Sequence, residues 1–155
     1  MKRAGLWAIG IGALVTVGLT AIEASAGENE RGCTLATLHG QYLFAGPATL
    51  FPPAFGVTAP TLAASAGFHI FNGDGTGTDF VTFTVEGVDQ HVPSPVPTTY
   101  TLNADCAGTY SVQNGPTLDI FVAVDGSALS AIEATPGVSA SYGPDPRVGS
   151  SRRAD

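Results

Sequence analysis

The sequence predicts an all-β domain, a small antiparallel β-barrel of about eight strands, with a two-layer β-sandwich as the alternative. Three observations point there. No stretch beyond Gly27 sustains a 3.6-residue apolar period; the helix formers Lys, Arg, Glu, Gln and Met are scarce while Gly, Pro, Thr, Val and Ala dominate; and frequent turn signals cut the chain into short runs. About eight strands is the number at which a closed barrel has room for its own side chains or for one small ligand. Closure also removes the edges that a flat sheet offers to aggregation.

Taken in order, Gln41–Ala45 opens the sheet, and a loop bearing Pro47, Pro52, Pro53 and Pro60 follows. Leu62–Phe71 places Leu62, Ala64, Ala66, Phe68 and Ile70 on one face and Ser65, His69 and Phe71 on the other, because side chains alternate along a strand. Asn72-Gly73-Asp74-Gly75 turns the chain, its glycines supplying the positive φ of a tight hairpin. Thr78–Glu86 returns with Val81, Phe83 and Val85 opposite Phe80, Thr82 and Thr84. A second proline-bearing loop, Val92–Pro97, leads to Thr98–Leu102, then Gly108–Val112, then Leu118–Val124. Asp125-Gly126 signals another hairpin, and Ala128–Thr135 and Val138–Tyr142 complete the sheet.

The N-terminus reads as a signal for export. Lys2 and Arg3 form a positive start, Gly5–Leu19 is uncharged and mostly apolar, and Ala24-Ser25-Ala26 supplies the small residues at a cleavage site. A permanent anchor wants about 20 predominantly apolar residues, whereas this run is interrupted by glycines and meets Glu23. Residues 1–26 are therefore read as a signal peptide, 27–143 as the β domain and 144–155 as a flexible C-terminal tail with little to bury. The expected location is secreted or periplasmic, with no stable membrane anchor after cleavage. Acidic and basic residues just before Cys33 argue against a lipid attachment site.

Without the signal the chain keeps twelve acids against four arginines and no lysine, a net charge of −8. Its arginines lie near the two ends, so no basic face is offered to a phosphate backbone and nucleic-acid partners are excluded. The two cysteines, Cys33 and Cys106, read as a disulfide in an exported chain, stabilising by about 4 kcal/mol on the chain-entropy model. Two free buried thiols are the alternative. A zinc site is disfavoured, since His39 lies outside the usual ligand spacing from Cys33 and Cys106 has no neighbour of ligand type.

Several segments carry a resemblance. Cys33, Gly40-Gln41-Tyr42, Gly67-Phe68, Phe71-Asn72-Gly73-Asp74-Gly75, Tyr100 through Tyr110 and Leu118-Asp119-Ile120-Phe121 together resemble an uncharacterised family of small secreted bacterial β proteins, over about Cys33 to Gly137. Asp-Cys-x-Gly-x-Tyr is the most specific part. In strand number and exported context the chain also looks like the eight-stranded barrels of allene oxide cyclase and dirigent proteins, which act on hydrophobic small molecules. That likeness is architectural and carries over no active-site residue.

Three groups of residues are candidates for chemistry. Asn72, Asp74, Thr76 and Thr78 alternate like calcium-loop ligands, but Phe83 stands where the closing acid belongs, so the segment reads as a structural turn and no metal is expected. Asp119 and Glu133 face each other if the intervening hairpin has a three-residue loop, forming a carboxylate pair able to share a proton; a two-residue turn pairs Asp119 with Ile132 and turns Glu133 to the other face. His69 shares its face with Phe71 and is a polar group for a barrel lumen, in which Phe71, Tyr110 and Phe121 are further ligand-contacting candidates. His39 and His91 belong to no ligand motif. Neither a Gly-x-Ser-x-Gly nucleophile nor a phosphate-binding glycine motif occurs, and no cofactor is implied.

The leading expectation is a secreted barrel that binds a hydrophobic small molecule. The alternatives are an isomerase- or cyclase-type enzyme using Asp119 or Glu133 as its acid, and a structural or interaction module of the envelope or matrix.

Overall fold

The computed structural model describes residues 32–149, so the expected signal peptide and residues 150–155 of the expected tail lie outside them. Nine strands follow one another: β1 (His39–Leu50), β2 (Thr61–Asn72), β3 (Thr76–Val85), β4 (Val88–Asp89), β5 (Val96–Leu102), β6 (Ala107–Val112), β7 (Thr117–Val122), β8 (Ala128–Glu133) and β9 (Val138–Val148). Every pairing is antiparallel, β9 returns to β1, and β2 pairs with β3, so eight strands close into an up-and-down barrel; the two-residue β4 only extends the turn after β3. This is the expected barrel and not the sandwich. Among the described residues no helix is long and apolar enough to cross a membrane.

The inward phase is set by which residues the closed ring buries. Tyr42, Phe44, Ala48 and Leu50 face inward from β1, Ala63, His69 and Phe71 from β2, and Leu118, Ile120 and Val122 from β7. The His69 face of β2 is thus the inner one, while Phe68 stacks with Phe80 on the outside at 4.7 Å between ring centroids. Two glycines allow the curvature. A Cβ on Gly67 would lie 1.9 Å from the Phe80 carbonyl oxygen, and one on Gly108 would lie 2.0 Å from that of Thr101, so only glycine lets the neighbouring strands approach there.

β1 and β9 both run past their expected ends. Pro47, assigned to a loop by sequence, lies within β1 in the stretch between Tyr42 and Ala48 that β9 does not pair, where a missing N–H is tolerated. β9 continues through Pro144 to Val148, which corrects the reading of 144–155 as a tail starting directly after Gly143. The reason is a bulge at Gly143-Pro144. Ala131 pairs with Tyr142 but Leu129 with Asp145, so β9 gains one residue over its neighbour. That slip reverses the alternation and turns Asp145 into the interior, with 3% of its surface exposed.

One end of the barrel is filled. Tyr42, Phe71, Tyr100, Ile120 and Leu129 pack into a layer beneath which Leu38, completely buried, plugs the end. Burial of each such side chain contributes about 1.5–3 kcal/mol. Cys33 and Cys106 are disulfide-bonded with Cα atoms 5.0 Å apart, tying the segment before β1 to the start of β6. The Tyr42 hydroxyl donates to the Gly126 carbonyl at 2.6 Å, and the Tyr100 hydroxyl lies 2.9 and 3.0 Å from the carbonyl oxygens of Leu35 and Leu38. A disulfide-bonded barrel of this kind is compatible with an oxidising, extracellular compartment.

Candidate functional site

The opposite end is open. Here the last residues of β1, β3, β6 and β8 and the first of β5, β7 and β9 surround a cavity of about 830 Å3, a size typical of small-molecule pockets. Its walls are apolar, with Leu50, Val81, Phe83, Val85, Leu118 and Val138 among them. Phe55, in the turn after β1, is exposed at the rim and leans on Phe83 at 5.7 Å between centroids. The alternation of β3 supplies most of this wall: Asp79, Val81, Phe83 and Val85 share one face, so the acid that begins the series is carried inward with the apolar residues.

Asp79 meets His69 at the floor of the cavity. The two are direct register partners across β2 and β3, and His69 Nδ1 donates to Asp79 Oδ1 at 2.7 Å. The Tyr110 hydroxyl donates to the same carboxylate oxygen and lies 3.0 Å from His69 Nδ1. Burial, with the Asp79 charge beside it, pushes the Tyr110 phenol far above its usual range, so this proton stays on the tyrosine. The Phe44 ring lies flat on the imidazole at 4.3 Å and 13°, while Phe71 and Tyr110 meet it at 5.8 and 5.0 Å. His69 is thereby held by three aromatic rings and at one nitrogen.

Further acids surround this group. Asp145, behind the floor, is pushed up to about 6 by burial, and its Oδ2 has no hydrogen-bond partner among the described residues. Glu133 faces the cavity higher up. Burial raises its carboxyl, against hydrogen bonds from Thr135, whose N–H donates to Oε1 at 3.0 Å. Nearby, Ser65 Oγ donates to the Tyr142 hydroxyl at 3.0 Å, and burial raises that phenol too.

The candidates named from sequence separate into those the fold gathers and those it does not. His69 and Tyr110 line the cavity together. Phe71 is buried beneath them as packing, not as a lining residue. Phe121 is 56% exposed on the outer surface, which corrects its placement in the lumen. Asp119 is exposed as well and pairs with Ile132, while Leu118 pairs with Glu133, so the register is the one, of the two open to the sequence, that separates the acids, and no carboxylate pair forms. The hairpin decides this. Asp125 Oδ1 accepts from the Ser127 N–H at 2.9 Å, Gly126 adopts φ 67°, and Ala123 N–H donates to the Ala128 carbonyl at 2.9 Å, giving a four-residue loop and the register that separates Asp119 from Glu133.

At the Asn72–Thr76 turn the Asp74 carboxylate is engaged by the Thr76 N–H and hydroxyl at 2.9 and 2.7 Å, as in a structural Asx turn. Among the described residues no three His, Cys, Asp or Glu side chains are grouped so as to hold a metal ion. Asp79, Phe44, Ser65, Tyr142 and Asp145 are the site residues that sequence reasoning missed. For Asp79 a signal was present, its phase with Val81, Phe83 and Val85; for Asp145 the bulge erased it. Comparison of the chain with protein-family models, with curated proteins and with solved structures finds no match, so the site is read from its own geometry.

Proposed function

We propose that this barrel binds a small, mostly apolar molecule in its open cavity, and that it does so outside the cytoplasm, in the periplasm or the medium. The half-filled interior carries the reading: about 830 Å3 of space with apolar walls and a few convergent polar groups at its floor. The disulfide and the signal-like first 26 residues support the compartment. Titration with the neutral fluorophore N-phenyl-1-naphthylamine tests the binding. A saturable one-site enhancement is expected, displaced by apolar competitors and lost in Val81→Trp, which fills the cavity while leaving the far-UV spectrum intact. Equal, non-saturating responses from the two proteins overturn the reading.

A second reading is an enzyme of isomerase or cyclase type. The His69–Asp79 pair favours it, since a carboxylate that fixes an imidazole beneath a bound molecule is how a general base is held. Glu133 is the remaining carboxyl of the original pair still available to the cavity. Chemical conversion of a bound ligand by the wild-type protein, abolished in His69→Phe, is the measurement that separates an enzyme from a binder.

A further inference from the structure

Resting on that binding reading, we infer the chemical class of the ligand: an apolar body bearing a neutral hydroxyl, an alcohol or phenol, whose proton is accepted by His69 Nε2. Three observations lead there. First, the Asp79 carboxylate at 2.7 Å fixes the ring proton on Nδ1, so the neutral imidazole carries its lone pair on Nε2. Second, Nε2 has no hydrogen-bond partner among the described residues and is not sealed from solvent, and His69 forms part of the cavity surface. The Tyr110 hydroxyl, which lies 3.0 Å from Nδ1, has its proton committed to Asp79. An acceptor is therefore left facing the cavity, and a ligand donor completes it.

Third, the charges around the cavity select against anions. Asp79, Glu86 and Glu133 line it and Asp145 lies behind the floor, whereas no lysine or arginine is part of the lining. Arg147, the single described arginine, sits toward the filled end opposite Tyr42. A carboxylate headgroup such as that of a fatty acid would meet like charge with no lysine or arginine to offset it and would offer Nε2 no proton. A hydroxyl carries the donor without the charge.

The test is a matched series of 2-naphthol, 2-methoxynaphthalene and 2-naphthoate, each measured by displacement of N-phenyl-1-naphthylamine at neutral pH. The naphthol is expected to bind about tenfold more tightly than its methyl ether, as one hydrogen bond to a buried acceptor supplies. The naphthoate is expected to bind most weakly. In His69→Phe the naphthol-to-ether ratio falls to about one. Because that variant leaves Asp79 short of a donor, Asp79→Asn is a second probe: its amide donates to Nδ1, moves the ring proton to Nε2, and abolishes or reverses the preference. Equal affinity of naphthol and ether in the wild-type protein, a preference that survives both variants, or tightest binding of the naphthoate overturns the inference while leaving cavity binding intact. Failure of all three compounds to displace the fluorophore removes both.

Discussion

His69 and Asp79 stand directly opposite each other across the β2–β3 ladder, and their side chains join at 2.7 Å inside the barrel wall. Ten residues apart in the chain, they are brought together by the Asn72–Thr76 turn, whose length puts a histidine and an aspartate in the same inward row. Their pairing fixes the orientation of the imidazole and gives the buried Asp79 carboxylate a donor.

Removing the acceptor is the most disruptive change at the floor. Asp79→Ala leaves the His69 Nδ1–H and the Tyr110 hydroxyl without a partner in a nearly solvent-free layer. Destabilisation of about 3 kcal/mol is expected in urea unfolding, against about 1–2 kcal/mol for Tyr110→Phe, which leaves the His69–Asp79 bond in place.

Asp145 makes stability depend on pH. Its folded-state pKa of about 6 lies above its ordinary value of 3.8, so the protonated form is favoured by folding. The associated stability is complete below about pH 4 and is lost as pH rises through about 6, by up to about 3 kcal/mol. Asp145→Asn is expected to flatten that part of the profile, with the gain over wild type growing from pH 4 to pH 7. A constant difference between the two proteins across this range refutes the assignment.

The barrel bends at Gly67 because the Phe80 carbonyl occupies the space of a Cβ. Gly67→Ala is expected to cost about 1–3 kcal/mol as β2 and β3 are pushed apart. Ala66→Ser, one residue away and facing out, is expected to cost under about 0.5 kcal/mol. Thermal melts of the two variants compare these directly.

The disulfide spans 73 residues of sequence. Replacing both cysteines by alanine is expected to lower stability by about 4 kcal/mol, read as a lower denaturation midpoint. Equal midpoints for the variant and the oxidised wild-type protein contradict the prediction.

Much of the fold was legible along the chain. The β class, the eight barrel strands, the Cys33–Cys106 link and the common face of His69 and Phe71 follow from local alternation, turn residues and cysteine count, which are properties of neighbours in sequence. Whether that face looked inward was not legible, because both faces of β2 are apolar and only closure of the ring tells them apart. Nor was the fate of Asp119, Phe121 and Glu133, which depends on one residue of register set by how Asp125 and Gly126 fold the β7–β8 loop.

The site itself was decided by tertiary structure. Sequence alone determined that a histidine and a tyrosine lie on strands of a small β domain. It took the β2–β3 register to join His69 to Asp79, closure through β6 to bring up Tyr110, and the Gly143-Pro144 bulge to turn Asp145 inward. Each is a long-range pairing whose free energy comes from burying the whole ring of strands, so no short segment encodes it.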